Sequence, residues 1–397
     1  MNIGIYGGTF DPPHRGHIAA AKAAMSALHL DRLLLIPDAV PPHKALPEGS
    51  PTAQQRYDMA VLATAELGRQ TEASDIELRR AGISYTADTL AQLRQRYPDD
   101  ELYLLMGTDM FLSLQSWRQP DRIAALAHIA PFRREREDDP AAFAVQKERL
   151  ERDYGASVTV VPNPDVVDIS STEVRAALAQ GGGEDMIPPA VWGYICRERL
   201  YGTHADLKHL TPDQLRPVAL SYLKPKRMPH VLGTEQEAVR LAERYGADVT
   251  KARVAALLHD CTKKLDMAEQ LALCERYRIP LDELERKALK LLHSKTGAAI
   301  ARDVFAVDDD VYNAILYHTT GKPDMTLLEK IIYLADYIEP TRDFPGVEEL
   351  RRTVYEDLDR GLLLGLTMTI QEMEELGNPV HHMTRDARDY LMKRGIS

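Results

Sequence analysis

The first seventeen residues constrain this chain more than any other stretch. Ile3–Tyr6 is a short apolar run that reads as a buried strand, followed by Gly7-Gly8-Thr9-Phe10-Asp11-Pro12-Pro13-His14-Arg15-Gly16-His17 and an alanine-rich helical stretch, Ile18 to Leu30. Strand, glycine turn and helix N-terminus form a phosphate-binding layout: glycines let backbone N–H groups approach an anion, and the helix end adds partial positive charge. The pattern is neither the G-x-x-x-x-G-K-[ST] loop nor the G-x-G-x-x-G loop. It adds two histidines three residues apart at the helix start, so both imidazoles lie on one face, where phosphates would sit.

Composition narrows the rest. At 397 residues the chain suits two domains. A hydrophobic content of 44% with 27% charged residues describes an ordinary soluble protein. No apolar run approaches the roughly 18 residues of a membrane span, and a basic-then-apolar signal segment is lacking, so no membrane association is expected. Cys196, Cys261 and Cys274 show no metal-ligand spacing and suit a reducing cytoplasm. The net charge of −11 argues against a nucleic-acid-coating surface. Nucleotide ligands would then need local basic residues, helix ends and metal ions. A homo-oligomer is left open.

Through residue 203, apolar strand candidates alternate with amphipathic helical stretches. The strands are expected at Ile3–Tyr6, Arg32–Pro37, Asp75–Leu78, Glu101–Met106, Ala127–Phe132 and Ser157–Val161, and the helices at Thr52–Leu67, Tyr85–Tyr97 and Ala141–Tyr154. This alternation predicts an α/β domain with a parallel sheet, whose ligands bind beyond the C-terminal strand ends. One such end carries Pro41-Pro42-His43-Lys44. Alone it reads as a proline-stiffened surface loop; beside the histidine loop, Lys44 is a sensible partner for a substrate phosphate. In Ile169-Ser170-Ser171-Thr172-Glu173-Val174-Arg175, Ser170 and Glu173 form a capping box. The same helix start, with three hydroxyls and Arg175 one turn in, makes a second anion cradle.

The motif Gly-Gly-Thr-Phe-Asp-Pro-Pro-His-x-Gly-His resembles the signature of the nucleotidyltransferase superfamily with a Rossmann-like fold and an H-x-G-H motif, and its wording is closest to the bacterial nicotinate-mononucleotide adenylyltransferases. That resemblance implies transfer of AMP from ATP to nicotinate mononucleotide, giving nicotinate adenine dinucleotide and pyrophosphate. It implies nucleotide contacts from Gly7, Gly8, Thr9, Phe10, His14, His17, Gly107, Asp109, Ile169, Ser170, Ser171, Thr172 and Arg175. It further implies contacts to the mononucleotide from Lys44, Thr86, Asp88 and Trp117. For Trp117, a core aromatic is the serious rival reading. Phosphoryl-type transfer is mainly positioning and charge neutralisation. His14, His17, Lys44 and Arg175 would be the catalytic cations, with Mg²⁺ bridging the triphosphate. Pro131 departs from the family's uninterrupted apolar strand, and Phe132-Arg133-Arg134 follows it where the family has Arg-Pro-Gly. Pantetheine phosphate or a flavin as acceptor is the alternative on the same fold.

Around Thr203 to Arg227 strand signals cease. The expected organisation is a domain over residues 1–203, a joint over 204–220 and an all-α domain over 221–397. In the second half His230, His259, Asp260, His293, His318 and Asp336 each lie within or beside a helical stretch. Four imidazoles and two carboxylates could hold two metal ions, with Asp260 as the natural bridge, and mixed N/O ligation suits Fe, Mn or Zn rather than Mg alone. Singly, each histidine reads more simply as a structural or surface residue. The adjacent pair His259-Asp260 after Val254–Leu258 is different, because burying both is costly unless they bind something.

The order H…HD…H…H…D resembles the HD-domain metal phosphohydrolases. Leu257–Lys263, Tyr317–Gly321 and Leu334-Ala335-Asp336-Tyr337-Ile338-Glu339-Pro340-x-Arg342 resemble the branch of bacterial symmetrical diadenosine-tetraphosphate hydrolases, which implies a di-iron site. Hydrolysis would give two ADP, with Lys263, Thr319 and Arg342 meeting the substrate and Asp260 and Lys263 in the catalytic centre. For Lys263 a solvated helix end, and for Arg342 a surface arginine, are equal rivals. The alternatives for this half are a nucleotide-sensing HD module that binds metal without turnover, and a phosphohydrolase acting on another nucleotide.

Overall fold

Residues Asn2–Gly8 form β1, whose Ile3, Ile5 and Tyr6 are buried as the apolar run predicts. The computed structural model describes every residue except 43–45, 81, 134–137, 164 and 397. The chain divides into two compact units, Met1–His204 and Ala205–Ser397.

In the first unit, β1 is followed by α1 (Arg15–Ala27), β2 (Arg32–Pro37), α2 (Ala53–Ala63), β3 (Thr71–Ala73), α3 (Thr86–Arg96), β4 (Glu101–Gly107), α4 (Thr108–Ser113), α5 (Pro120–Leu126), β5 (His128–Phe132), α6 (Pro140–Tyr154), α7 (Ser171–Ala179) and α8 (Pro189–Glu198). The strands form one parallel sheet in the order β3-β2-β1-β4-β5. Ile5, Leu34, Leu104 and Ile129 of the sheet pack with Leu90 and Leu93 of α3 in a single core cluster. Central strands buried on both faces read as continuous apolar runs, which is why β1, β2 and β4 are legible in the sequence.

Two expected strands differ. Asp75–Leu78 is a loop and turn, and the edge strand lies earlier, at Thr71–Ala73, where Leu33–Leu35 of β2 supply its partners. Ser157–Val161 makes only two isolated bridges, Val158 to Ile129 and Val161 to Phe132. Pro131 stands between those two bridges. A proline has no N–H to give to a ladder, so continuous pairing stops there.

The second unit is helical: α9 (Pro212–Leu220), α10 (Met228–Tyr245), α11 (Val249–Leu258), α12 (Met267–Arg276), α13 (Leu289–Phe305), α14 (Asp309–Tyr317), α15 (Leu327–Ile338), α16 (Val347–Glu356), α17 (Leu358–Glu375) and α18 (His382–Lys393). The stretch expected as a joint contains α9, whose Leu215, Val218 and Ala219 are buried and which packs on α11. α10 packs against α11 and α15, and α14 joins α13 to α15. Leu241, Leu258, Leu292, Ile315 and Leu334 from these five helices are fully buried. No described helix is long and apolar enough to cross a membrane.

Candidate active sites

In the first unit the carboxyl ends of the strands face a cavity lined by Gly7, Gly8, Thr9, Phe10, His14 and His17. His14 is the N-cap of α1 and His17 its third residue. The backbone N–H of His14 donates to Nδ1 of His17 at 3.1 Å. That bond uses the Nδ1 lone pair, so Nε2 of His17 carries a hydrogen in either charge state and can donate to an anion. The two rings lie 3.7 Å apart between centroids. Gly16 permits this packing: a Cβ there would come within 3.0 Å of both His14 Nδ1 and the carbonyl oxygen of Val167.

Gly107, Asp109, Thr86, Trp117, Ile169 and Ser171 line the same cavity. Sequence positions spanning more than half the unit thus meet in one place. Ser170 caps α7, its Oγ accepting from Glu173 N at 3.2 Å while Glu173 Oε2 accepts from Ser170 N at 2.7 Å. Arg175 turns toward the histidine loop: Nη1 donates to the Asp11 carbonyl at 2.7 Å and Nη2 to Thr172 Oγ1 at 3.1 Å. These two bonds hold that loop. Asp88 does not line the cavity. Its carboxylate lies 3.6 Å from Arg122, and its N–H already bonds the Tyr85 carbonyl in the first turn of α3. Lys44, with His43 and Arg134, falls outside the described residues.

In the second unit five helices bring together all six residues singled out there. His230 sits in the first turn of α10, His293 in the second turn of α13, and Asp336 near the end of α15; His259 and His318 are the C-caps of α11 and α14. Three overlapping groups have ligand atoms within 4.8 Å of one another: His230, His259 and Asp260; His259, His318 and Asp336; Asp260, His293 and His318.

The hydrogen bonds around these side chains suit metal ions. Nδ1 of His259 donates to the Ala256 carbonyl at 2.6 Å, and Nδ1 of His318 to the Ile315 carbonyl at 2.7 Å. A carbonyl only accepts, so each Nε2 keeps its lone pair for the interior. His230 Nδ1 is held likewise by Glu339 Oε1 at 2.9 Å. His230 Nε2, His259 Nε2 and Asp260 Oδ1 are buried atoms without a hydrogen-bond partner, a costly state that cations would relieve. Asp336 Oδ1 is 2.9 Å from His230 Nε2; the neutral ring, with its hydrogen on Nδ1, cannot donate to it, and only the protonated ring bonds both carboxylates. Burial pushes His293 and His318 down to about 4 and lowers His259 as well, so these imidazoles are neutral ligands at neutral pH. Burial opposes ionisation of Asp260, yet His259, His293 and Lys263 hold it well below the usual carboxylate range.

Lys263 Nζ lies 2.9 Å from His293 Nε2 and 3.7 Å from Asp260 Oδ1, at the cluster and not in solvent. Thr319 Oγ1 lies 3.3 Å from His318 Nε2. Arg342 donates from Nε to the Asp336 carbonyl at 2.8 Å and from Nη2 to Asp336 Oδ1 at 2.6 Å.

The cytidylyltransferase-like family model matches residues 5–177, and the HD domain model matches residues 227–341. Over 215 residues the chain is 40% identical to a "Probable nicotinate-nucleotide adenylyltransferase" of Shewanella sp. (strain ANA-3), covering 51% of this chain and 99% of that protein. Over 182 residues it is 40% identical to a "Bis(5'-nucleosyl)-tetraphosphatase, symmetrical" of Halalkalibacterium halodurans, covering 45% of this chain and 97% of that protein. A Bacillus subtilis protein of the same name is 40% identical over 159 residues, 40% of this chain and 85% of that protein. The chain belongs to both families. It joins a nicotinate-nucleotide adenylyltransferase unit to a symmetrical bis(5'-nucleosyl)-tetraphosphatase unit of the HD class.

Several further side chains support the two sites, in roles that no motif states. In the adenylyltransferase unit, Arg56 of α2 is 1% exposed. It donates to the carbonyls of Thr9 at 3.0 Å, Asp38 at 2.6 Å and Ala39 at 3.2 Å, stapling the loops after β1 and β2. Tyr201 donates to Asp11 Oδ1 at 2.6 Å. Arg56 lies in none of the motifs read from the sequence. In the tetraphosphatase unit, Arg227 lies 2.5 Å from Asp260 Oδ2, and Glu339 orients His230. Arg227 stands three residues before His230 on the helical spacing, a signal that was available but weak.

Proposed function

We propose that this chain is a bifunctional cytoplasmic enzyme, with nicotinate-mononucleotide adenylyltransferase activity in residues 1–203 and symmetrical diadenosine-tetraphosphate hydrolase activity in 221–397. In the first unit, a phosphate oxygen of nicotinate mononucleotide attacks the α-phosphorus of ATP, the bond to the β-phosphate oxygen breaks, and pyrophosphate leaves with its electron pair. No side chain becomes covalently attached. His17 donates from Nε2 to the phosphates and His14 packs against it; Lys44, which follows β2 in the sequence, supplies charge. The helix start at Ile169–Thr172 cradles the triphosphate, and Mg²⁺ accompanies ATP. The observation that carries this reading is the His14–His17 pair with its fixed tautomer, facing the cavity that Trp117 and Ser171 also line.

In the second unit His230, His259, Asp260, His293, His318 and Asp336 would hold two metal ions, for which iron suits the mixed ligand set. When bound, such ions supply Lewis acidity toward phosphoryl oxygens and a water nucleophile at neutral pH. The chain's own part is to present neutral imidazoles, to exclude water from Asp260, and to meet the polyphosphate with Lys263, Thr319 and Arg342. The orphaned atoms His230 Nε2, His259 Nε2 and Asp260 Oδ1 carry this reading. The three cysteines are free thiols, which suits the cytoplasm.

The test is to purify the protein without chelator, measure its metal content, incubate it with diadenosine tetraphosphate and separate the products. ADP alone supports the symmetrical hydrolase. ATP plus AMP would overturn the symmetrical cleavage, and bound metal without turnover would favour the sensing module. Incubation with ATP and nicotinate mononucleotide, against pantetheine phosphate and flavin mononucleotide, tests the first unit.

A further inference from the structure

Glu77 sits in the turn after β3, is 6% exposed, and lines the cavity in front of His14 and His17. Its Oε1 accepts from Thr89 Oγ1 at 2.6 Å, and that hydroxyl in turn accepts from Arg80 Nη2 at 3.0 Å. The carboxylate is therefore anchored on one side by a short chain of hydrogen bonds. Oε2, on the other side, is buried and has no hydrogen-bond partner among the described residues. A buried carboxylate oxygen left unsatisfied is a cost that a packed core does not keep without use.

Geometry says which ligand meets it. Glu77 is bonded to Thr89 of α3, the helix that Thr86 opens, and Thr86 and Trp117 line the same cavity. On the reading above, which this inference rests on, Thr86 and Trp117 meet the mononucleotide and the Ile169–Thr172 helix start takes the triphosphate, which sets Glu77 beside the acceptor. A carboxylate oxygen only accepts hydrogen bonds. In nicotinate mononucleotide the phosphate and the ring carboxylate are acceptors too, and the ring nitrogen is glycosylated and has no hydrogen. The ribose hydroxyls are the donors that remain. Carboxylates serve this purpose in other nucleotide sites.

We propose that Glu77 Oε2 accepts a hydrogen bond from a ribose hydroxyl of the acceptor mononucleotide, making Glu77 the residue that requires an intact ribose in that substrate. Glu77 takes no part in the transfer itself, so it acts on acceptor affinity and not on the reacting phosphates.

The experiment compares the full-length protein with Glu77→Ala and Glu77→Gln, using ATP and nicotinate mononucleotide or its 2′-deoxy and 3′-deoxy analogues. The Gln variant keeps an oxygen for Thr89 and serves if Ala fails to fold. Expected is a rise in KM for nicotinate mononucleotide on the order of ten- to a hundredfold in the variants, as for losing a charge-assisted hydrogen bond, with KM for ATP unchanged. One deoxy analogue should lose a similar factor in the wild type and nothing further in the variants. Equal losses in the variants on all three acceptors, or a shift in KM for ATP, would overturn the inference. Wild-type protein that turns over no nicotinate mononucleotide would instead sink the acceptor assignment itself.

Discussion

His230 donates its Nδ1 hydrogen to Oε1 of Glu339 at 2.9 Å, and both side chains are buried. Glu339 also accepts from Thr341 N at 2.7 Å, so it is held from both sides. It fixes the ring orientation that aims Nε2 at Asp260 and Asp336, 3.8 Å and 2.9 Å away. Carboxylates behind ligating histidines typically contribute about 10–100-fold in metal affinity. Glu339→Gln should therefore weaken metal binding by about that factor and leave adenylyl transfer intact. Equilibrium titration of the metal-stripped protein measures it; unchanged affinity would refute the orienting role.

Gly233 lies one turn after His230, and a Cβ there would come within 2.5 Å of Glu339 Oε2. Gly233→Ala should push Glu339 off His230 and lower metal content, although it touches no proposed ligand. Alanine favours a helix interior over glycine by roughly 0.5–1 kcal/mol, so metal loss without loss of helicity is the diagnostic result. Metal analysis beside far-UV circular dichroism reads both.

Acid should destabilise the metal-stripped helical unit through its buried histidines. Burial holds His293 and His318 at about 4, against an ordinary value of 6.5. Between those values the unfolded chain binds protons that the folded unit does not, so stability is present above 6.5 and is lost as pH falls toward 4. His230 runs the other way: burial lowers it, but bonds to Asp336 and Glu339 leave it raised, so its share is lost as pH climbs above 6.5. Urea unfolding at about pH 7 and about pH 5 should show lower stability at the lower value, and a flat profile would contradict the neutral imidazoles.

The two reactions should separate by mutation. His17→Ala removes a donor aimed at the phosphates and should cost adenylyl transfer on the order of 100–1,000-fold while hydrolysis persists. Asp260→Ala should do the reverse, because it removes the one carboxylate shared by two of the three overlapping candidate metal groups. Rates of both reactions in both variants check this. Loss of both activities in either folded variant would defeat the assignment of independent sites.

Arg56→Met should be among the most damaging changes in the α/β unit. It deletes the donor for three loop carbonyls in a residue that is 1% exposed. Leaving buried acceptors unsatisfied costs about 1–3 kcal/mol each, and large losses of about 4–5 kcal/mol have this kind of origin. Chemical denaturation of the first unit, followed beside KM for both substrates, measures the loss.

The sequence by itself determined the local and the periodic features. Apolar runs marked β1, β2, β4 and β5, because strands covered on both faces need no polar alternation. The order His230, His259-Asp260, His293, His318, Asp336 marked residues that the fold brings together as candidate metal ligands. Tertiary structure decided what those residues do to one another. The partners of Arg175 and Asp88 within the protein were not legible in their motifs: the fold directs Arg175 to the Asp11 carbonyl and sets Asp88 beside Arg122. The staple at Arg56, the clamp of Tyr201 on Asp11 and the bond of Glu339 to His230 join residues 47, 190 and 109 positions apart. No period or motif encodes such pairs, because a buried hydrogen bond is set by where chain folding delivers a donor and an acceptor together, and that depends on the packing of every element between them.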